Sequence, residues 1–215
     1  MQEKRPFQRR TDYEKIQSGD YYDGIRRYYD QVAEITVIKV FSGEFYVSTQ
    51  PGEMMVTILG SCVAACVRDP VAHVSGMNHF LLPDTQGQDG ATLRYGAFAM
   101  EQLINEILKK GGMKSRLEVK VFGGGNVIRS SALIGDKNSV FVRRYLAEEG
   151  IKIAKEDLGG TYPRRVHYYP DTGKVMIRHL RREEDLTLIN KEENAYKHEI
   201  EDRNEKGTEG EVELF

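Results

Sequence analysis

The sequence contains few cysteines, almost no net charge and no long apolar run. Its two cysteines, Cys62 and Cys66, are four residues apart, so they cannot build a framework of long-range disulfides. The formal net charge of -2 provides no field for nucleic acid or for an anionic membrane. No apolar stretch approaches the roughly 20 residues of a membrane span, and the first residues contain no apolar signal region. These features predict a cytoplasmic protein that neither binds nucleic acid nor inserts directly into a membrane.

Patterns for metal and nucleotide binding are also missing. Neither C-x-x-C nor H-E-x-x-H occurs, so we predict no metal site. Gly123, Gly124 and Gly125 follow a predicted strand but match neither the phosphate-loop pattern nor the dinucleotide pattern. We therefore predict no nucleotide and no other cofactor, and we interpret the glycine run as a place where the backbone closely approaches an active site.

Charge and apolar patterning divide the 215 residues into three parts. Residues 1–30 mix charge with tyrosine, and we interpret them as a charged N-terminal arm. The globular pattern occupies residues 31–182, which we interpret as one folded domain. Between residues 183 and 215 there are twelve acidic and four basic residues, which predicts an acidic, mostly disordered tail.

Within the globular part, strand patterns outnumber helical ones. ITVIKVF, SGE and FYVST predict one hairpin, and the segments on either side of Asp69-Pro70 predict a second. The apolar spacing from Thr92 to Leu108 predicts a helix with Thr92 as its N-cap, and residues 138–149 predict a shorter helix. Because strands do not alternate regularly with helices, we predict an α+β layered domain rather than a doubly wound sheet. The other predicted strands are MMVTILG, RLEVKVF, IKIAKEDLGG, RRVHYYP and KVMIRHL.

Cys62 is the first candidate for chemistry. Gly60 and Ser61 interrupt the β-rich stretch immediately before it, which predicts a thiol at a strand end beside backbone N–H groups that can hold an oxyanion. The thiol needs a base, because the thiolate is the nucleophile. The alternative is a cysteine that packs as a small hydrophobic side chain, which is our interpretation of Cys66 in the interior of its strand.

His79 is the candidate base. It lies seventeen residues after Cys62, and a hairpin between them would make the two side chains neighbours in space. Thr57, on the preceding strand, can orient the imidazole ring with its hydroxyl. The alternatives are a histidine hydrogen-bonded at a sheet edge and a threonine that only favours a strand. His167, on a later strand, is the next candidate base.

The segment TILGSCVAACVRDPVAHVSGMNHFLLPD, followed by FGGGN at 122–126 and IGDKN at 134–138, resembles the CheD family of chemoreceptor glutamine deamidases. The similarity extends over residues 35–180, since EDLGGTYPRRVHYYPDTGKVMIR also resembles the family's C-terminal part. It implies a layered α/β/β sandwich of mostly antiparallel strands with two main helices, similar to the catalytic domains of deamidating bacterial toxins. It also implies Cys62 as nucleophile, His79 as base and Thr57 as their helper. ILGS, between Thr57 and Cys62, is one residue shorter than in some family members.

The same resemblance implies a reaction and its partners. Glutamine side chains of methyl-accepting chemoreceptors would become glutamate, with release of ammonia through a thioester on Cys62. The receptors' cytoplasmic helices would be one partner and a CheC-like phosphatase another. Three other functions stay open on the residues alone: a transglutaminase-like reaction, a non-catalytic chemotaxis adaptor, and a thiol redox protein. Cys66 is badly placed as the resolving cysteine that the redox function needs.

Overall fold

The computed structural model describes residues 26–82, 89–127, 132–181, 187 and 189. This part of the chain contains ten strands in two five-stranded sheets, two α-helices and a 3-10 helix at Lys114–Arg116. The helices are α1 (Asp89–Lys109) and α2 (Ala132–Glu148). The strands are β1 (Arg27–Asp30), β2 (Ile35–Lys39), β3 (Phe45–Ser48), β4 (Glu53–Leu59), β5 (Val63–Asp69), β6 (Val74–Asn78), β7 (Glu118–Gly123), β8 (Ile153–Leu158), β9 (Arg164–Tyr169) and β10 (Lys174–His179).

The two sheets are mostly antiparallel. Sheet A has the strand order β1-β2-β4-β9-β10, and sheet B has the order β3-β6-β5-β7-β8. Among the described strands, only β2 with β4 and β7 with β8 pair in parallel. The structure confirms the predicted α+β sandwich with two main helices.

The side chains of β5 and of Cys62, the residue before it, face two different layers in alternation, because successive residues of a strand point to opposite faces. One set packs in an apolar cluster with both helices, and the other packs in a second cluster between the two sheets. The protein therefore has three main layers in the order helices, sheet B and sheet A. The helix-facing set is Val63, Ala65 and Val67, and the inner set is Cys62, Ala64 and Cys66.

Both helices form because their apolar residues recur with the 3.6-residue period and can be buried on sheet B. In α1 the buried residues include Met100, Leu103 and Ile107. The predicted helix ends are correct to within one residue, but both predicted beginnings are wrong. Helix α1 begins at Asp89, so Thr92 is not its N-cap, and α2 begins at Ala132 rather than at 138. Apolar spacing gives no signal for the first turn of α1, which begins Asp89-Gly90, and in α2 Gly135 and Asp136 interrupt the helical pattern after Ile134.

The predicted hairpin between ITVIKVF and FYVST is wrong. Strand β2 pairs with β1 and β4 in sheet A, whereas β3 pairs with β6 in sheet B. The SGE segment does reverse the chain, since the Glu44 N–H donates to the Phe41 carbonyl at 3.0 Å. This turn carries the chain from one sheet to the other, so its flanking strands never become neighbours. The second predicted hairpin is confirmed, because β5 and β6 are antiparallel partners.

Two structural features lie in segments that the sequence analysis assigned to the ends. Strand β1 lies within the N-terminal arm and pairs with β2. Ile189 lies within the acidic tail, yet it is buried with Val56, Ile58 and Leu180 in a third apolar cluster. Of the helices in the described ranges, none has the length and apolar character needed to cross a membrane.

Candidate active site

The pairing of β5 with β6 brings Cys62 and His79 to the same end of sheet B. Val63 and Phe80, the residues next to them, exchange two backbone hydrogen bonds of 2.9 Å. Because alternate residues share a face, Cys62 and His79 both point from this pair toward sheet A. Both side chains are buried, with exposures of 1% for Cys62 and 2% for His79.

Thr57 and Val40, from the sheet A side, contact the Nδ1 atom of His79. Thr57 on β4 is fully buried, and its Oγ1 lies 2.8 Å from Nδ1. The Thr57 hydroxyl donates to the Val40 carbonyl at 2.8 Å, so its oxygen accepts the proton of Nδ1. The Val40 carbonyl itself lies 3.4 Å from Nδ1. This arrangement favours the tautomer with its proton on Nδ1, which leaves Nε2 as an acceptor.

The Nε2 side of the ring meets a residue that the sequence analysis missed. Ser42 Oγ lies 3.2 Å from His79 Nε2 and 3.5 Å from Cys62 Sγ. Ser42 stands in the turn that crosses between the sheets, 20 residues from Cys62 and 37 from His79. The sequence marks this position only as part of a turn, so no signal indicated its proximity to the other two residues.

The glycine run holds the turn that carries Cys62. The N–H groups of Gly124 and Gly125 donate to the carbonyls of Cys62 and Gly60, at 2.7 and 2.8 Å. A β-carbon on Gly123 would lie 2.1 Å from the Cys62 carbonyl oxygen, so no larger residue fits here. This geometry confirms the prediction that the glycine run marks a close backbone approach.

Asn138, the last residue of the IGDKN segment, supports the same turn from α2. Its side chain is fully buried and donates to the Ser61 carbonyl at 2.9 Å. The same side chain accepts the N–H of Leu82 at 2.8 Å. Asn138 thereby ties the turn before β5 to the segment that follows His79.

Burial dominates the electrostatics of His79. It lowers the pKa of the imidazole to about 4, although the hydrogen bond with the Val40 carbonyl opposes this shift. The free site therefore contains a neutral imidazole at pH 7, which is the form that can accept a proton.

Cys66 occupies an apolar part of the same inner cluster, opposite Met77 on β6. Burial raises the pKa of its thiol, and the charge of Lys120 opposes the rise only partly. The interpretation of Cys66 as a core residue is confirmed.

His167, the alternative base, is not brought to the site. On β9 it pairs with Val56, whereas its neighbour Val166 pairs with Thr57. Since Thr57 points between the sheets, His167 points to the opposite face of sheet A. Its pKa is also lowered to about 4, first by burial and then by Arg165 and Arg178. A low pKa alone therefore does not distinguish the two histidines, but their positions do.

No group of three His, Cys, Asp or Glu side chains that could hold a metal ion occurs in the described ranges. Between the two sheets lie instead a thiol, an imidazole and two hydroxyls, those of Cys62, His79, Thr57 and Ser42. These are the side chains with which a cysteine-dependent hydrolase works, since its thiol needs a base and its base needs an orienting group.

Comparison with known proteins gives the family of the chain. A family model described as "CheD chemotactic sensory transduction" matches residues 81–179. A relative from Rhodopseudomonas palustris is 51% identical over 93% of this chain and 94% of its own length. One from Hahella chejuensis is 44% identical over 91% and 92%, and one from Bordetella parapertussis is 50% identical over 71% and 74%. The chain belongs to the CheD family. All three relatives carry the name "Probable chemoreceptor glutamine deamidase CheD".

Similarity to solved structures is much lower. The crystal structure of the hypothetical protein YfiH of Bacillus licheniformis is 14% identical, with a TM-score of 0.35 over 55% of this chain and 50% of that chain. A Neisseria meningitidis protein, NMB0706, is 10% identical, with a TM-score of 0.37 over 60% and 64%. Neither likeness bears on function.

Proposed function

We propose that this protein is an amidohydrolase that converts glutamine side chains of chemoreceptors to glutamate and releases ammonia in bacterial chemotaxis. Membership of the CheD family supports this activity, because the relatives are named for it. The observation that supports the site is the contact of His79 with two hydroxyls, one fixing Nδ1 and the other reaching Cys62. Cys62 is the proposed nucleophile, His79 the base and Thr57 the orienting residue.

The first half of the reaction forms a thioester. His79 Nε2 takes the thiol proton, and the Cys62 thiolate attacks the side-chain carboxamide carbon of glutamine. The N–H groups of Ser61 and Cys62 are our assignment for the oxyanion site, since the carbonyls of their turn are held by the glycine run and Asn138. The amide C–N bond then breaks as the protonated His79 gives its proton to the leaving nitrogen. Ammonia leaves, and the acyl group remains on the sulfur.

The second half consumes one water molecule. Neutral His79 takes a proton from water, and the hydroxide attacks the thioester carbon. The C–S bond breaks, the thiol regains a proton, and glutamate is released. Thr57 contributes in both halves because its oxygen accepts the Nδ1 proton and so stabilises the imidazolium whenever Nε2 is protonated.

A groove of about 660 Å³ opens beside His79 and is the proposed place for the receptor segment. Phe98 on α1 and Phe45 on β3 line it, with exposures of 56% and 37%. Gln102 adds an amide to the same wall. A helix that carries a glutamine can place its apolar side chains against the two rings while the glutamine reaches toward Cys62. Family resemblance alone supports the second proposed partner, a CheC-like phosphatase.

The function is tested with a purified cytoplasmic fragment of a methyl-accepting chemoreceptor. Peptide mass spectrometry should find glutamines converted to glutamates, and ammonia should appear with the same time course. Cys66→Ala is the matched control and should convert the same glutamines. Binding of the fragment without conversion would favour a non-catalytic adaptor.

A second condition separates hydrolysis from transglutamination. In water enriched in heavy oxygen, hydrolysis places one heavy oxygen atom in each new carboxylate. Incorporation of an added primary amine in place of that oxygen would contradict the proposed hydrolase and would indicate a transglutaminase.

A further inference from the structure

Ser42 places one hydroxyl against both proposed reacting groups. Its Oγ lies 3.5 Å from Cys62 Sγ and 3.2 Å from His79 Nε2. We propose that Ser42 is a proton-relay residue that carries the proton from the Cys62 thiol to the His79 ring. This inference rests on the proposed function, because it refines the same site.

The hydrogen bonds of the site can all run in one direction. The Val40 carbonyl can only accept, so the Thr57 hydroxyl donates to it and accepts the proton of His79 Nδ1. Nε2 then has a free electron pair and accepts the Ser42 hydroxyl proton. The Ser42 oxygen, having used its own proton, accepts that of the Cys62 thiol. The chain thus leads from the thiol to a carbonyl without two donors or two acceptors facing each other.

Proton transfer along this chain balances without another reactant. The S–H bond of Cys62 breaks and its proton bonds to Ser42 Oγ, while the original O–H bond breaks and that proton bonds to Nε2. Ser42 ends as a hydroxyl again, between a thiolate and an imidazolium. It then donates to the thiolate and accepts from Nε2–H, so it stabilises both charged groups.

The backbone keeps Ser42 in register with His79. Ser42 is the second residue of the turn Phe41–Glu44, and Gly43 follows with a φ of 82°, the conformation that the third residue of a type II turn requires. The Gly43 N–H donates to the His79 carbonyl at 2.8 Å, and the His79 N–H donates to the Glu44 carbonyl at 2.9 Å. These two bonds join the backbone of His79 to the turn, so they fix the position of Ser42 relative to the histidine.

Charged groups near the ring do not explain the contact. The charged or titratable side chains that line the groove beside His79 are Arg26, Arg27, Lys39, Glu44, Tyr46 and Tyr95, and Cys62 contacts Ser42 on the other side of the ring. Glu44 forms an ion pair with Arg26, and Arg27 forms one with Glu53. The pKa of His79 is nevertheless set by burial and by a backbone carbonyl. In the free enzyme the Ser42 hydroxyl therefore lies between two neutral groups, the Cys62 thiol and the His79 imidazole.

The test is the pH profile of iodoacetamide alkylation of Cys62, read by peptide mass spectrometry on the full chain. Ser42→Ala removes the hydroxyl, Ser42→Thr keeps it, and Ser75→Ala is the control. The Ser75 hydroxyl donates to the Pro170 carbonyl at 3.0 Å, at the far end of β6 from His79. We expect the Ser42→Ala profile to move to higher pH by about one unit, a roughly tenfold slower alkylation at neutral pH. Ser42→Thr and Ser75→Ala should follow the wild-type profile.

The same variants are then assayed for ammonia release from the receptor fragment, where Ser42→Ala should lose about tenfold in kcat with KM unchanged. An unchanged alkylation profile in Ser42→Ala would overturn the relay, and so would an equal shift in Ser42→Thr. Alkylation needs no substrate. A receptor fragment that stays unconverted by the wild type would therefore count against the proposed function and leave the relay result readable.

Discussion

Cys62, immediately before β5, and Cys66, within it, point to the same side of sheet B, yet the structure gives them different surroundings. Both thiols are 1% exposed and belong to the same cluster between the sheets. Cys62 stands where the turn before β5, the turn after β2 and the glycine run meet, and hydroxyl and imidazole groups reach it there. Cys66 stands in the interior of the strand among apolar side chains. Burial therefore does not distinguish a reactive thiol from a core thiol. Position at the end of a strand does, because the turns at that end bring polar groups to the thiol.

The largest expected difference between the two regions is in turnover. Cys62→Ala should reduce ammonia release from a receptor fragment to background, because the Ser42 hydroxyl that contacts the His79 imidazole also contacts the Cys62 thiol, whereas Cys66 lies in the interior of β5. Cys66→Ala should keep near-normal turnover, with a packing cost of about 1 kcal/mol in the free energy of unfolding. Turnover assays and urea unfolding of both variants measure the two effects. Near-normal turnover by Cys62→Ala would end its assignment as nucleophile.

Buried His79 and half-buried His167 extend the comparison. Their pKa values are both lowered to about 4, but only His79 points between the sheets toward Cys62. His79→Ala should lower kcat by about 10² to 10⁴, the usual contribution of a general base, and should move Cys62 alkylation to higher pH. His167→Gln should leave kcat within about twofold of the wild type. A large loss of kcat in His167→Gln, with kcat of His79→Ala near the wild-type value, would indicate that His167 is the base.

Thr57 should give a smaller loss than His79. Thr57→Val keeps the shape of the side chain and removes the oxygen that accepts the Nδ1 proton. A hydrogen bond to a charged partner contributes about 1.5 to 3 kcal/mol, so kcat should fall about tenfold to a hundredfold. Thr57→Ser keeps the hydroxyl and serves as the control in the same assay. Equal activity of the Val and Ser variants would show that Thr57 only fills space.

Acid should weaken the fold through both histidines. An unfolded histidine has a pKa near 6.5, and the folded values are about 4, so the unfolded chain binds more protons between these limits. The stability that the two neutral histidines contribute is therefore fully present above about pH 6.5 and is lost as the pH falls toward 4. Between pH 7 and pH 5 each histidine should account for about 2 kcal/mol of that loss.

Urea unfolding at the two pH values measures this change, and His167→Gln separates it from catalysis. The variant should lose about 2 kcal/mol less than the wild type between pH 7 and pH 5, with kcat at pH 7 unchanged. An equal loss in variant and wild type would show that His167 does not titrate in this window.

The part of the site that sequence could predict is the part that is local along the chain. Cys62 and His79 are joined by one hairpin, and a short turn at Asp69-Pro70 is enough to place them together. Ser42 reaches Cys62 and His79 only because β2 and β3 belong to different sheets, so the turn that connects these strands passes from sheet A to sheet B. The residues of that turn predict that the chain reverses its direction. They do not predict which strands pair with β2 and β3, the two strands that the turn connects. The missed serine and the wrong hairpin therefore have the same physical cause.

The central claim is that the thiol at the beginning of β5 is the nucleophile that attacks glutamine. A receptor peptide with a diazoketone analogue in place of a converted glutamine tests it, because such a group alkylates the atom that attacks the side-chain carbonyl. We predict that the label lies on Cys62 alone, that Cys66 stays unlabelled, and that activity disappears in proportion to the label. Loss of activity with the label on any other residue, and with Cys62 unmodified, would contradict the claim.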